Sequence, residues 1–166
     1  MSFETALAPP QDISVTSGDV TLSATVYPNP GKPALLFVHG YPDNSHCWDA
    51  TIAELRADFH IATYDVRGAG KSDIPKKVSA YRMERLIEDQ LAVLEQVLPD
   101  EKVHLVAHDW GSIQTWNAIV DPRITDRVVS YTSLSGLSFD HAGEWLRTRV
   151  KQGHVGAAID GRNTRR

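Results

Sequence analysis

One stretch decides the fold of this chain: Val103-His104-Leu105-Val106-Ala107-His108-Asp109-Trp110-Gly111-Ser112. It opens with a short apolar run of the kind that forms a buried strand, and a helical spacing of apolar residues follows in Ile113, Trp116 and Ile119. A small residue, an acidic residue and a glycine separate the two patterns. The stretch therefore predicts a strand, a sharp turn and a helix, with Asp109 at the turn.

Asp109 has two interpretations at this position. Small neighbours permit the strained turn of a nucleophile elbow, which lifts its central side chain above a sheet. A carboxylate raised in this way can attack carbon and form an ester, which indicates alkyl or epoxide electrophiles rather than ordinary acyl transfer. The alternative is that Asp109 only caps the N-terminus of the helix that follows a buried strand.

Composition limits the class of protein. The chain has 166 residues, of which 42% are hydrophobic and 23% charged, and this predicts one soluble globular domain with its own core. The net charge of −4 offers no basic face for nucleic acid, and the single cysteine, Cys47, cannot form an intrachain disulfide. No apolar run approaches the roughly 20 residues of a membrane helix, and the N-terminus lacks the pattern of a signal peptide. We therefore expect a cytoplasmic protein without membrane contact.

Strand and helix patterns alternate along the chain. Residues 1–12 have no periodicity and are predicted to be a flexible leader, and residues 13–15 and 20–27 predict an antiparallel hairpin. Further strands are predicted at residues 34–38, 61–64 and 128–134, beside the strand that begins at Val103, with helices between them. This order predicts an α/β fold with a mostly parallel, doubly wound sheet. Such sheets carry their chemistry at the carboxyl ends of the strands, where His39, Asp65 and Asp109 fall.

Three separated motifs together resemble the epoxide hydrolase branch of the α/β-hydrolase superfamily, which uses an aspartate nucleophile. They are His39-Gly40-Tyr41-Pro42 followed by Trp48, Asp65-Val66-Arg67-Gly68-Ala69-Gly70-Lys71-Ser72, and His108-Asp109-Trp110-Gly111. The chain also looks like the hydrolase part of bacterial two-domain proteins in which a short-chain dehydrogenase follows. The resemblance covers the N-terminal half of the fold only. It implies an incomplete α/β-hydrolase fold, with its core at residues 13–137 and the start of a lid region or a disordered tail at residues 138–166.

The resemblance also implies roles for individual residues. Asp109 would be the nucleophile that opens a small apolar epoxide, and the backbone N–H groups of Trp110 and Tyr41 would form the oxyanion hole. His39 would support the oxyanion loop. Asp65 and Arg67 would fix the loop that contains them, residues 65–72, through hydrogen bonds and a charge pair. Trp48 and Trp110 would line the substrate pocket, although packing in the core is the alternative for both tryptophans. No cofactor is implied, and the remaining histidines lack the spacing of metal ligands.

The family's later parts have no counterpart in this sequence. In the family a lid, an acid and a histidine base follow the nucleophile, and here only Asp140 lies where some relatives place the acid. The resemblance thus predicts a truncated hydrolase that forms the ester and cannot release it. It also predicts an unpaired sheet edge at residues 128–134 through which the chain can self-associate.

Other functions remain open. A haloalkane dehalogenase also uses an aspartate followed by tryptophan, and a truncated hydrolase can serve as a non-catalytic scaffold. A serine esterase would need Ser112, which lies beyond the turn in the predicted helix. The loop Gly68-Ala69-Gly70-Lys71-Ser72 lacks the spacing of a phosphate-binding loop, so a structural loop is predicted there.

Overall fold

A six-stranded sheet with the order β1-β2-β4-β3-β5-β6 organises the structure. The computed structural model describes residues 7–152, and the chain divides into two units between Gly136 and Leu137. The whole sheet belongs to the first unit.

The N-terminal strands form the predicted antiparallel hairpin. Strands β1 (Gln11–Ser17) and β2 (Val20–Tyr27) pair along their full length, and every second residue of β2 is buried, from Val20 to Val26. β1 begins at Gln11, so the predicted leader of residues 1–12 is too long by two residues. The first two residues of β1 are exposed and are held by backbone pairing with β2, which leaves no apolar pattern in the sequence.

The remaining strands build the parallel part of the sheet. β3 (Ala34–Val38) is buried along its whole length and lies between β4 (His60–Tyr64) and β5 (Val103–His108), with β6 (Val128–Leu134) beyond β5. These four strands run parallel, and β2 joins them by antiparallel pairing with β4. The prediction of a mostly parallel sheet with an N-terminal antiparallel hairpin is confirmed.

Helices cover both faces of the sheet. Leu36 and Val38 of β3 pack in one core with the long helix α2 (Met83–Val97) and with α3 (Trp110–Ala118). Leu35 and Phe37, which point to the opposite face because side chains alternate along a strand, pack in a second core with α1 (Asp49–Leu55). A short helix, α4 (Pro122–Thr125), leads into β6.

The second unit contains one helix, α5 (Phe139–Lys151). Of residues 138–166, predicted to be the start of a lid region or a disordered tail, residues 139–151 form this helix and residues 153–166 lie outside the described residues. Among residues 7–152, no helix combines the length and the apolar character that crossing a membrane requires.

Candidate active site

The turn between β5 and α3 has strained backbone geometry. Asp109 adopts φ 53° and ψ −124°, a region that non-glycine residues occupy at a cost of about 1–3 kcal/mol. Its neighbours allow no larger side chains, because a Cβ on Gly111 would collide with the carbonyl oxygen of His39. A Cβ on Gly40 would lie 2.5 Å from the Cβ of Asp109. Small residues therefore let the start of α3 press against the end of β3.

The Asp109 carboxylate is held by two backbone donors. The N–H of Tyr41 donates to Oδ1 of Asp109 at 2.9 Å. The N–H of Trp110, together with that of Tyr41, keeps the pKa of Asp109 below its ordinary value, so the carboxylate is ionised at neutral pH. Although Asp109 occupies the N-cap position of α3, its side chain makes no N-cap hydrogen bond. The structure thus brings together the three residues that the sequence had placed in one site.

His39 connects the loops that follow β3 and β4. Its ring is buried, and its Nε2 accepts a hydrogen bond from the N–H of Val66 at 2.9 Å. Nδ1 must then carry the proton, which it donates to the carbonyl oxygen of Gly40, also at 2.9 Å. Burial lowers the pKa of His39, so the ring is neutral. Since both ring nitrogens are engaged with the backbone, His39 is not free to act as a general base.

Buried polar contacts fix the loop after β4. The Asp65 carboxylate accepts hydrogen bonds from the N–H groups of Ser45 at 2.8 Å and Lys71 at 2.7 Å. Arg67 forms a charge pair with Asp89 of α2, through two hydrogen bonds of 2.5 Å between buried side chains. The sequence did not reveal Asp89 as the partner, because a single acidic residue in an amphipathic helix carries no such signal.

Trp48 lies in the core and not in a substrate pocket. Its side chain is 7% exposed and packs against Phe37, with ring centroids 4.7 Å apart, and against Ile52 in the core under α1. Of the two predicted pocket tryptophans, only Trp110 lines the cavity described next, and it is 54% exposed. The pocket role predicted for Trp48 is therefore wrong, because β3 and α1 cover the large apolar surface of this residue.

A cavity of about 520 Å³ lies beside the Asp109 turn. Its walls come from the loops after β3 and β4, from the start of α3, and from Tyr81, Leu86 and Gln114. Asp109 is not among the lining residues. Two lining residues are its neighbours: Tyr41 donates its N–H to the Asp109 carboxylate, and Trp110 follows Asp109 in the chain. Sequence reasoning missed Tyr81, Leu86 and Gln114, which belong to three different segments and meet only in the folded chain.

Ser112 and Asp140 are two further residues that the sequence analysis considered for a catalytic role. Ser112 is fully buried and its hydroxyl donates to the carbonyl oxygen of Ala107, so it is not placed to act as a nucleophile. Asp140 lies in the first turn of α5, in the second unit. Among the described residues, no group of three or more histidine, cysteine, aspartate or glutamate side chains could hold a metal ion.

Known proteins resemble this chain over most of its length. The alpha/beta hydrolase fold family matches residues 33–154. The protein named probable oxidoreductase EphD from Mycobacterium tuberculosis is 45% identical over 113 residues, which are 68% of this chain and 19% of that protein. Epoxide hydrolase A from the same organism is 35% identical over 130 residues, which are 77% of this chain and 39% of that protein.

Solved structures agree with these sequence matches. The crystal structure of epoxide hydrolase A from Mycobacterium thermoresistibile superimposes with a TM-score of 0.70 and 31% identity, over 86% of this chain and 45% of that one. The chain thus spans less than half the length of each of these relatives. The matched family, the observed sheet order and the strained turn at Asp109 lead to one conclusion: the chain belongs to the alpha/beta hydrolase fold family and is similar to its epoxide hydrolases.

Proposed function

We propose that Asp109 is the nucleophile of an epoxide-opening reaction. The observation that carries this proposal is the ionised carboxylate of Asp109, held by the N–H groups of Tyr41 and Trp110 in a strained turn at the carboxyl ends of parallel strands. The names of the epoxide hydrolases that resemble the chain support the choice of electrophile. The substrate class is a small, apolar epoxide.

The first step forms a covalent ester. A carboxylate oxygen of Asp109 attacks the less hindered epoxide carbon, the bond between that carbon and the ring oxygen breaks, and the alkoxide takes a proton from solvent. The product is a glycol monoester of Asp109. The charge moves from the carboxylate to the alkoxide, so an ionised Asp109 at neutral pH is required, and the lowered pKa meets this requirement.

The second step is hydrolysis of the ester. Water attacks the ester carbonyl carbon and loses a proton to a base, and the oxyanion that develops there accepts hydrogen bonds from the N–H groups of Tyr41 and Trp110, which already face the Asp109 carboxylate. The bond between the carbonyl carbon and the glycol oxygen then breaks, the glycol oxygen takes up a proton, and the diol leaves with the Asp109 carboxylate restored. His39 supports this arrangement by joining the loops after β3 and β4. We assign these roles to Asp109, Tyr41, Trp110 and His39.

Hydrolysis also needs a base to activate the water, and neither His39 nor Ser112 is placed to supply it. His39 uses both ring nitrogens on backbone groups, and Ser112 is buried against Ala107. We therefore infer that residues 7–152 on their own stop at the ester, and that complete turnover needs a base that they do not supply.

Alkylation by styrene oxide tests the proposal. Intact-protein mass spectrometry should show the addition of one epoxide molecule, and peptide mapping should place it on Asp109. Asp109→Asn should show no such adduct, while Asp140→Asn, in the second unit, should be modified like the unaltered chain. Without any adduct on Asp109 the nucleophile proposal is wrong and the scaffold interpretation gains support. Sustained diol production would contradict the halt at the ester, and halide release from a bromoalkane without epoxide opening would favour a dehalogenase.

The free edge of β6 supports a further part of the proposal, self-association. Among the described residues β6 pairs only with β5, and its sequence has no proline or lysine that would discourage pairing with another strand. We place the protein in the cytoplasm because its only cysteine, Cys47, is free and its composition is that of an ordinary soluble domain.

A further inference from the structure

The backbone of Asp109 is held from the end of β6. The N–H of Asp109 donates to the carbonyl oxygen of Leu134 at 2.9 Å, and the N–H of Leu134 donates to the hydroxyl oxygen of Ser112 at 3.2 Å. These contacts act on the main chain of the turn, whereas the N–H groups of Tyr41 and Trp110 hold the carboxylate. Asp109 is therefore fixed by two separate sets of contacts, one on its backbone and one on its side chain.

The chain turns sharply where β6 ends. Ser135 has φ 57°, a left-handed conformation that residues with a side chain rarely adopt, and the next residue, Gly136, lies against the Asp109 turn. A Cβ on Gly136 would collide with the Cβ of Ser112 and would lie 2.8 Å from the carbonyl oxygen of Asp109. The approach of the two segments is therefore close enough to require glycine at position 136.

Gly136 is also tied to β6 and α3. The hydroxyl of Ser133 in β6 donates to the carbonyl oxygen of Gly136 at 3.0 Å and accepts a hydrogen bond from the indole N–H of Trp116 in α3 at 3.3 Å. The ring of Trp116 packs edge-on against Tyr131, whose hydroxyl donates to the carbonyl oxygen of Ser112 at 2.8 Å. Moving Gly136 away from the turn would therefore break its hydrogen bond to β6.

We propose that Gly136 is a positioning residue for Asp109. Residues 134–136 support the backbone of the turn and thereby keep the carboxylate against the N–H groups of Tyr41 and Trp110. A strained φ of 53° persists only where surrounding contacts enforce it, and the end of β6 supplies such contacts. The inference rests on the proposed function of Asp109, because a displaced carboxylate also attacks an epoxide in poorer geometry.

Gly136→Ala tests the proposal through two independent measurements. The rate of Asp109 alkylation by styrene oxide, followed by intact-protein mass spectrometry, should fall by roughly tenfold or more. In nitrogen-15 NMR spectra the amide proton of Tyr41 should move upfield, because its hydrogen bond to the carboxylate weakens. Gly143→Ala is the matched control and should behave like the unaltered chain in both, since an added Cβ there would lie 3.7 Å from the nearest atom of Arg147, an ordinary contact.

The two measurements distinguish positioning from stability and from the proposed function. A Gly136→Ala variant that is less stable but still folded, with an unchanged alkylation rate and an unchanged Tyr41 amide signal, would overturn the proposal. If styrene oxide does not alkylate the unaltered chain, the role of Asp109 as nucleophile fails, and the Tyr41 amide signal alone decides whether Gly136 positions the carboxylate.

A second pair of variants decides the matter if Gly136→Ala does not fold, as judged by circular dichroism. Ser133→Ala removes the hydroxyl that holds Gly136, and should slow alkylation several-fold and shift the Tyr41 amide signal. Ser133→Thr keeps a hydroxyl and should restore both measurements to those of the unaltered chain. Equal behaviour of the two Ser133 variants would contradict the positioning role.

Discussion

The hydroxyl of Ser112 donates a hydrogen bond to the carbonyl oxygen of Ala107 across 2.6 Å. This contact joins the first turn of α3 to the end of β5. The hydroxyl oxygen of Ser112 also accepts a hydrogen bond from the N–H of Leu134 at 3.2 Å, at the end of β6. One buried hydroxyl thus connects the three elements that meet at the strained turn.

Ser112→Ala should lower the free energy of unfolding by about 1–3 kcal/mol, because the buried carbonyl oxygen of Ala107 and the partly buried N–H of Leu134 lose a partner. Urea denaturation followed by circular dichroism measures the change. Ser79→Ala, at an exposed position, is the matched control and should stay within about 0.5 kcal/mol of the unaltered chain. Equal stabilities of the two variants would show that the Ser112 contact does not hold the turn.

The Arg67–Asp89 pair should be costly to break. Asp89→Ala leaves the buried guanidinium of Arg67 with only backbone carbonyl partners and should destabilise the fold by about 3–5 kcal/mol. Glu88→Ala is the control, because it removes the exposed ion pair with Arg85 and should cost less than about 1 kcal/mol. Thermal unfolding of the two variants compares them, and similar melting temperatures would contradict the role assigned to the buried pair.

His39 should make stability depend on pH. Burial lowers its pKa in the folded state, so as pH falls through the ordinary value of 6.5 the unfolded chain takes up a proton that the folded chain does not. The contribution is fully present above pH 6.5 and is lost below it, by at most about 1.4 kcal/mol per pH unit.

Urea denaturation above and below pH 6.5 measures this slope. His39→Gln should reduce the slope, whatever its effect on stability itself, because a glutamine does not titrate. His46→Gln, where the histidine side chain is 71% exposed, controls for the loss of an imidazole. An unchanged slope in His39→Gln would mean that His39 is not held neutral by burial.

Asp109 should titrate below its ordinary pKa of 3.8, because the N–H groups of Trp110 and Tyr41 stabilise its ionised form. A depressed pKa means that the carboxylate persists as pH falls and is lost only when pH passes through the lowered value. Carbon-13 NMR of labelled aspartate carboxyls, with the Asp109 signal assigned from Asp109→Asn, provides the midpoint. A midpoint at or above 3.8 would contradict the two donors.

The free edge of β6 should associate at high protein concentration. Val129 in this strand is 54% exposed, and Val129→Lys places a charge where another strand would pair. Sedimentation velocity over a concentration series should show association for the unaltered chain and less of it for Val129→Lys. Val78→Lys, which also replaces an exposed valine but lies outside the strands, should associate like the unaltered chain. A monomer at all concentrations would contradict self-association.

The sequence by itself determined the fold and the location of the Asp109 turn. Continuous apolar runs mark strands covered on both faces, as in β3, and small residues around Asp109 mark a tight turn. These are local signals, because strand and helix periodicities and the steric needs of a turn are recorded in neighbouring residues. The pairing of Tyr41 and Trp110 with Asp109 followed from the family resemblance and is seen in the geometry.

Only the tertiary structure decided which side chains meet across distant segments. Trp48 packs against Phe37 in the core, Arg67 selects Asp89 as its partner, and the cavity wall gathers Leu86 and Trp110 from two helices. No periodicity records such contacts, because they depend on how the elements pack and on which buried polar groups must find partners. The strands and the strained turn could therefore be predicted from the sequence, whereas the walls of the site required the packed structure.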